Sequence, residues 1–324
     1  MPNVPSLLPF LLLLLTACHT PGRPGARPPS DDGTPSATPA ADALRKDFDA
    51  ALTFETNGRT LPVPMVRVAV GGVRTHFIVD TGASHHVVTN AFAAQAGLTM
   101  AKDEDGKDHT GAPISAAHVG DVDVVIGGQS VALHDVKAIQ GPPPFVPLGI
   151  GGFLSPQHLD AFDVVVIDFV ELRLSGLQGG EPSAAWAKRT FGGDDVWPLP
   201  RPSHRKLYTT GSVDGSAVGA IQLDTGGSGS EVHASWVAAA ASSDLASNGI
   251  GVSGRAVEGR RSRGHTLRLG GVTLPLDDIL VVDALSDADT KALLGMNVMG
   301  TARWVLDQRG AGTLLWIRPS KPTP

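Results

Sequence analysis

Residues 76–88 read HFIVDTGASHHVV, and residues 221–232 read IQLDTGGSGSEV. In each stretch an apolar, strand-like run ends on an acid, Asp80 or Asp224, followed by a threonine (Thr81, Thr225) and a glycine (Gly82, Gly226). An acid ahead of a glycine turn is an ordinary turn device when it occurs once. Its recurrence with matching neighbours downstream marks an internal duplication. Phe92 in TNAFAAQAGL and Trp236 in HASWVAAAA each lie 12 residues after their Asp, in segments that read as short helices. Glycine pairs begin at Gly127 (VVIGGQSV) and Gly270 (LRLGGVTL), 47 and 46 residues after the two acids. Leu–Gly steps stand at Gly149 (PLGIGGFL) and Gly295 (LLGMNVMG), 69 and 71 residues on. Each copy then closes on an apolar strand with an internal Asp, VVVIDF or RWVLDQ. The copies span 60–176 and 205–318, joined by a connection at 177–204 rich in Gly, Pro and charge.

The rest of the composition fits this picture. A chain of 324 residues with 42% hydrophobic content can bury one large or two modest cores. Its 39 glycines and 25 prolines, with valine-rich segments broken by Gly pairs and few long helical periods, predict a mostly β protein. The formal charge of -6 comes with no long basic stripe carrying interleaved aromatics, which argues against nucleic-acid binding.

At the N-terminus, SLLPFLLLLLTAC is too short to span a bilayer comfortably and ends in small residues before Cys18, so 1–17 read as an export signal. LTAC resembles a bacterial lipobox, although MPNVPS ahead of the apolar run lacks Lys and Arg. That resemblance implies cleavage before Cys18, diacylation of its thiol, and a mature protein anchored to the bacterial cell envelope on the periplasmic or outer-membrane side. Residues 18–43 would then be the lipidated Cys and a Pro/Gly-rich tether that cannot bury a core, reaching ~25–30 Å as a flexible coil. Cys18 is the only cysteine, so an exported mature chain has no disulfide, no free thiol nucleophile and no cysteine-ligated zinc.

If the two copies pack about a pseudo-twofold axis, Asp80 and Asp224 face each other. At ~3 Å, two carboxylates repel by ~5 kcal/mol for an effective dielectric near 20, which is ~4 pK units. The pair therefore keeps one proton, giving a general base beside a general acid. A water between them can attack an amide carbon while the protonated partner stabilises the oxyanion, with no metal and no covalent intermediate. Gly82 and Gly226 permit close backbone approach, and the threonine hydroxyls can cross-link the two turns.

IVDTGAS with PLGIGGFL, and QLDTGGS with LLGMNVMG, resemble the signature pairs of retropepsin-like and pepsin-like aspartic proteases. The resemblance covers nearly everything after the tether. It implies a mostly β, two-lobed fold with pseudo-twofold symmetry and a cleft between the lobes, Asp80 and Asp224 as catalytic dyad, Thr81 and Thr225 as interlocking hydroxyls, and Leu–Gly steps crossing behind each Asp loop. It also implies a β-hairpin flap. The flap candidates are 109–119 and 251–261, with Gly111, Ala112, Gly254 and Arg255 at their turns. Ala83 and Gly227 stand where pepsin-like enzymes carry a hydroxyl, and the only tyrosine, Tyr208, lies outside both candidates, so the retropepsin-like branch is the nearer likeness. Loss of those hydroxyl donors predicts activity at mildly acidic to neutral pH. The implied function is a monomeric, cofactor-free aspartic endopeptidase acting on peptides or proteins. The alternative is a catalytically inactive, peptide-binding lipoprotein of the same fold.

Other motifs carry less. His85 and His86 are adjacent and so cannot chelate one ion from a regular strand. Ser84 and Ser228 lack a G-x-S-x-G elbow. GIGVSG at 249–254 satisfies a dinucleotide pattern but follows a polar, helix-like segment instead of a strand. Arg255, Arg260, Arg261, Arg263 and Arg268 form a basic cluster in which Arg255 could meet an acidic side chain or a substrate carboxylate.

Overall fold

The computed structural model describes residues 16–17, 44–101, 103–192, 195–201, 205–237, 245–285, 287–309 and 313–318. Cys18 and the tether expected at 18–43 lie outside them, as does the signal expected at 1–17 except for Thr16–Ala17, which pair with Lys107 and Gly106. The protein is mostly β. Among the described residues, one sheet of 14 strands and another of nine hold nearly all the regular structure.

The duplication is visible in the strand pairing. In the first copy, Val73–Val79 runs parallel to Ile150–Leu154, and Val87–Thr89 lies antiparallel to that strand and parallel to Gln129–Ile139. In the second copy, Gly219–Leu223 runs parallel to Thr290–Leu294, and Ser230–His233 lies antiparallel to it and parallel to Ile279–Val282. Each Asp loop is thus the connection between two strands that flank a third.

Alternation explains the hairpins. Within Pro113–Ile126, Val122, Val124 and Ile126 point inward while Asp121 and Asp123 face water, and Val131 and Leu133 answer them from the paired strand. The second copy repeats this with Leu267, Leu269, Leu274 and Leu276. The predicted Gly pairs are the two turns, with Gly127, Gly128 and Gly270 at φ 58°, 85° and 53°.

A third group of strands draws on both copies. Val164–Asp168 pairs antiparallel with Arg303–Asp307, and this pair is extended by Arg173–Gln178 and Arg45–Thr56 on one side and by Thr313–Arg318 and Asp195–Pro200 on the other. The two apolar strands with an internal Asp are therefore neighbours. Trp304 and Trp316 stack beneath them at 5.8 Å. Arg45–Thr56, ahead of the boundary expected at 60, is a full strand. The connection is more than a linker: Ser183 caps the helix Ala184–Thr190, and Asp195–Pro200 adds a strand.

Two expectations are corrected. The described part of HASWVAAAA begins with a 3₁₀ turn over Ala234–Trp236 instead of an α-helix, and Trp236 is buried as Phe92 is in its counterpart helix Asn90–Gln95; residues 238–241 lie outside the described residues. The Leu–Gly step at Leu148–Gly149 is not the one that crosses behind Asp80. Asp80 N–H donates to Leu154 O (2.8 Å) and Asp224 N–H donates to Leu294 O (2.9 Å), so Leu154–Ser155 is the true counterpart of Leu294–Gly295. Gly149 instead ends the short helix Phe145–Leu148 in a left-handed conformation.

Candidate active site

Each acid sits where a buried parallel strand runs out of partners and must turn. Asp80 Oδ1 accepts the N–H groups of Gly82 (2.8 Å) and Ala83 (3.0 Å), and Asp224 Oδ1 accepts that of Gly226 (2.9 Å). The turns are then locked across the repeat. Thr81 Oγ1 donates to Leu223 O (2.8 Å) and Thr225 Oγ1 to Val79 O (2.6 Å), while Thr225 N–H and Thr81 N–H donate back to the opposite hydroxyls at 3.0 and 3.1 Å. Val79 and Leu223 directly precede the two acids, so the reciprocal bonds fix one carboxyl relative to the other. Gly226 is needed for this approach, because a Cβ there would stand 2.6 Å from Asp80 Cγ.

The carboxyls of Asp80 and Asp224 come close enough for each to act on the other's titration, with the residues 1% and 0% exposed and Asp224 Oδ2 without a partner among the described residues. Burial, then the charge of Asp224, holds Asp80 well above the usual carboxylate range. Burial also pushes Asp224 up, to about 7, despite the opposing help of the Asp80 carboxyl, the Gly226 N–H and the Lys206 charge. The pair binds a shared proton and titrates as a unit.

Around the pair stand polar groups that the fold leaves unsatisfied. Among the described residues, buried Lys206 finds no hydrogen-bond partner for Nζ, and its charge reaches both aspartates. Glu231, seven residues after Asp224 in a strand position that Val87 fills in the first copy, is 2% exposed and has an unpartnered Oε1. Burial and the charge of Asp224 push its pKa up to about 8.

Two hairpin tips, the expected flap candidates, close on each other. Gly111 and Gly254 occupy the turns at φ 76° and 84°, beside Ala112 and Arg255. Asp108 Oδ1 accepts the N–H groups of Thr110 (2.9 Å) and Ala112 (3.2 Å), and Oδ2 reaches across to accept Ser253 N–H (3.0 Å) and Ser253 Oγ–H (2.6 Å). Neighbouring His109 is buried with neither ring nitrogen bonded among the described residues; burial, aided by the nearby charge of Lys206, lowers its pKa to about 4. Arg255 is exposed at the second tip, and its N–H donates to Ser253 Oγ (3.2 Å).

Behind the first loop, Gln157 Nε2 donates to Thr81 O (3.1 Å) and Ala83 O (2.7 Å), and Ser155 Oγ donates to Ala83 O (2.8 Å). His86 accepts Ser155 N–H at Nδ1 (3.2 Å) and so donates from Nε2 to His158 O (3.0 Å). It is a neutral buried brace with its pKa pushed down to about 3. His85 stacks on His158 at 6.3 Å. Among the described residues, no three His, Cys, Asp or Glu side chains converge to hold a metal.

Residues 66–151 match the family model described as aspartyl protease. The matched segment holds Asp80, Thr81, Gly82, Gly111 and Ala112 and stops before the second copy, whose part in the site follows from the reciprocal bonds between the two loops. No curated protein matches the chain.

Sequence alone places Asp80, Thr81, Gly82, Asp224, Thr225 and Gly226 in one constellation, and the structure brings these six together. It also adds residues that sequence reasoning missed. Glu231 had a readable signal, a charge in a short strand where the repeat has Val87. Lys206 and His109 had none, because their burial comes from tertiary packing that no local pattern reports.

Proposed function

We propose that the chain is an aspartic endopeptidase of retropepsin-like, two-lobed design, with Asp80 and Asp224 as its catalytic dyad. The carrying observation is the reciprocal threonine bonding that locks two equivalent loops together and sets their two buried carboxyls beside each other. The aspartyl protease match over 66–151 supports the same chemistry. One carboxylate takes a proton from the attacking water while the other carboxyl donates to the peptide carbonyl oxygen; the two roles exchange when the amine leaves. Substrate enters when the hairpin tips part, since both acids are closed off while the tips are joined. The expected anchor at Cys18 belongs to the same proposal, with the tether at 18–43 holding the catalytic part away from a bacterial envelope membrane.

The test is peptide cleavage by the segment from residue 44 onward at pH 4 to 8. Asp80→Asn and Asp224→Asn should each reduce kcat by a factor of ~10³ or more while leaving binding of a statine-type inhibitor detectable. Cleavage that persists at the wild-type rate in both variants would place the chemistry elsewhere. A fold-intact wild type that binds the peptides and cleaves none would favour the peptide-binding alternative. For the anchor, lipid labelling that survives in Cys18→Ser would overturn it.

A further inference from the structure

A cavity of about 520 Å³ opens at the hairpin tips. Its floor carries Glu231 and one wall carries His109, while Arg255, Glu258 and Asp283 stand at its rim. Both buried members present polar atoms with no partner among the described residues: Oε1 of Glu231 and both ring nitrogens of His109. The residues are 2% and 5% exposed. A fully buried carboxyl without a donor is costly unless something else supplies one. Glu231 is near enough to Asp224 to feel its charge, which ties the cavity to the aspartate pair.

We propose that this cavity is a substrate side-chain subsite for lysine or arginine, in which Glu231 is the specificity-determining carboxylate. The proposal rests on the protease function above and names its substrate class. An ammonium or guanidinium brings the hydrogen-bond donors and the positive charge that Glu231 lacks in the free protein, and the carboxyl proton leaves to solvent as the ion pair forms. The rest of the lining favours the same ligand. Glu258 and Asp283 add two negative charges, and Asp283 lies 3.9 Å from Arg260 at an exposed position. Among the described residues of the lining, Arg255 is the one permanent cation, and it stands at the exposed tip. His109 is held neutral by burial, so it accepts or donates a hydrogen bond without repelling a cation. Lys206, near His109 but outside the lining, already serves the dyad. An acidic side chain would bring a second carboxyl against buried Glu231, and an aliphatic one would leave Glu231 and His109 unpaired.

The deciding experiment measures both turnover and binding. A peptide series places Lys or norleucine at each position flanking the scissile bond, and two statine-containing peptides carry the same pair of side chains for calorimetry. In the wild type, one position should favour Lys over norleucine by about tenfold or more in kcat/KM, and the Lys inhibitor should bind correspondingly tighter. Glu231→Gln should bring both ratios to about one, and Glu231→Asp should restore part of them. Ratios near one in the wild type, or an undiminished Lys preference in Glu231→Gln, overturn the subsite. The arms also separate the two proposals. Lys-selective, Glu231-dependent inhibitor binding without any hydrolysis leaves the subsite standing and removes the protease; hydrolysis without discrimination does the reverse.

Discussion

Burial sets how firmly Asp80 and Asp224 hold their proton, and the charge of Lys206 works against it at Asp224. The backbone N–H groups of Gly82 and Ala83 on Asp80 and of Gly226 and Gly227 on Asp224 are the fixed hydrogen-bond support of the pair, and burial works against ionisation in both. Ala83 and Gly227 supply no hydroxyl, so a nearby cation is the remaining means of favouring the charged form. Lys206 does so without a direct contact, through its charge in a dry environment where screening is weak. Its own pKa is lowered by the same burial. A cation stabilises a carboxylate, so removing it raises the pKa of the pair. Lys206→Met should therefore move the acid limb of kcat/KM to higher pH while the reciprocal threonine bonds persist. A pH profile that superimposes on that of the wild type would show that Lys206 is a packing residue only.

Among the elements, the two hairpin tips are joined side chain to backbone and side chain to side chain through one pair of residues, Asp108 and Ser253. Asp108 is the hinge of that joint: one oxygen shapes its own turn and the other receives two bonds from Ser253. Gly251 must stay free of a side chain there, since a Cβ would lie 2.0 Å from Asp108 Oδ2. Bonds to a charged acceptor are worth about 1.5–3 kcal/mol each, less where water competes. Asp108→Ala should speed hydrogen exchange at the Ser253 and Gly111 amides by roughly 10- to 100-fold relative to the sheet amides; equal exchange in both proteins would mean the joint contributes nothing to closure. The tips are legible in the sequence because a glycine that must take positive φ stands at corresponding places, Gly111 and Gly254. The crossing behind Asp80 is not. Its true partner step is Leu154–Ser155, and serine there can fill the place because Ser155 N–H and Oγ both find partners, whereas at Gly295 a Cβ would lie 2.3 Å from Gly229 O. The two positions diverged for packing reasons, and Leu148–Gly149 mimicked the spacing. Asp195–Pro200 escaped for a related reason, since its partner lies over 100 residues away, Asp195 opposite Arg318; Arg45–Thr56 joins a local hairpin with Arg59–Val70 to an equally distant partner, Ala51 opposite Arg173.

At the scale of the molecule, the strands Val164–Asp168 and Arg303–Asp307 tie the two copies together, and a buried pair, Arg303 Nε to Asp168 Oδ2 at 2.9 Å, marks their junction. The Asp loops hang from strands on either side of this shared sheet, so stability and site chemistry answer to the same buried titratable groups. These groups fall into two sets with opposite pH dependence. His86, His85 and His109 have pKa values pushed down from 6.5 to about 3, 4 and 4, so the folded state holds fewer protons there than the unfolded chain. Their contribution is complete above about pH 6.5 and is lost as pH falls toward 3–4. Glu231 and Asp224 move the other way, from 4.5 and 3.8 to about 8 and 7, with Asp80 raised as well. Their contribution is complete below about pH 4 and is lost as pH rises through 7 and 8. Between about 4.5 and 6.5 the two trends oppose each other. Above 6.5 the histidines no longer change, and the carboxyls alone act. The urea midpoint should therefore be flat to within a small margin from about pH 4.5 to 6.5 and drop on both sides, the alkaline loss reaching several kcal/mol because each tenfold change in a group's proton affinity is worth about 1.4 kcal/mol. Glu231→Gln, combined with Asp80→Asn, should remove most of the alkaline drop and leave the acid limb in place. A midpoint that stays constant or rises between pH 6.5 and 8.5 in the wild type would mean these carboxyls ionise freely in the folded protein, and the shared proton of the dyad would go with them.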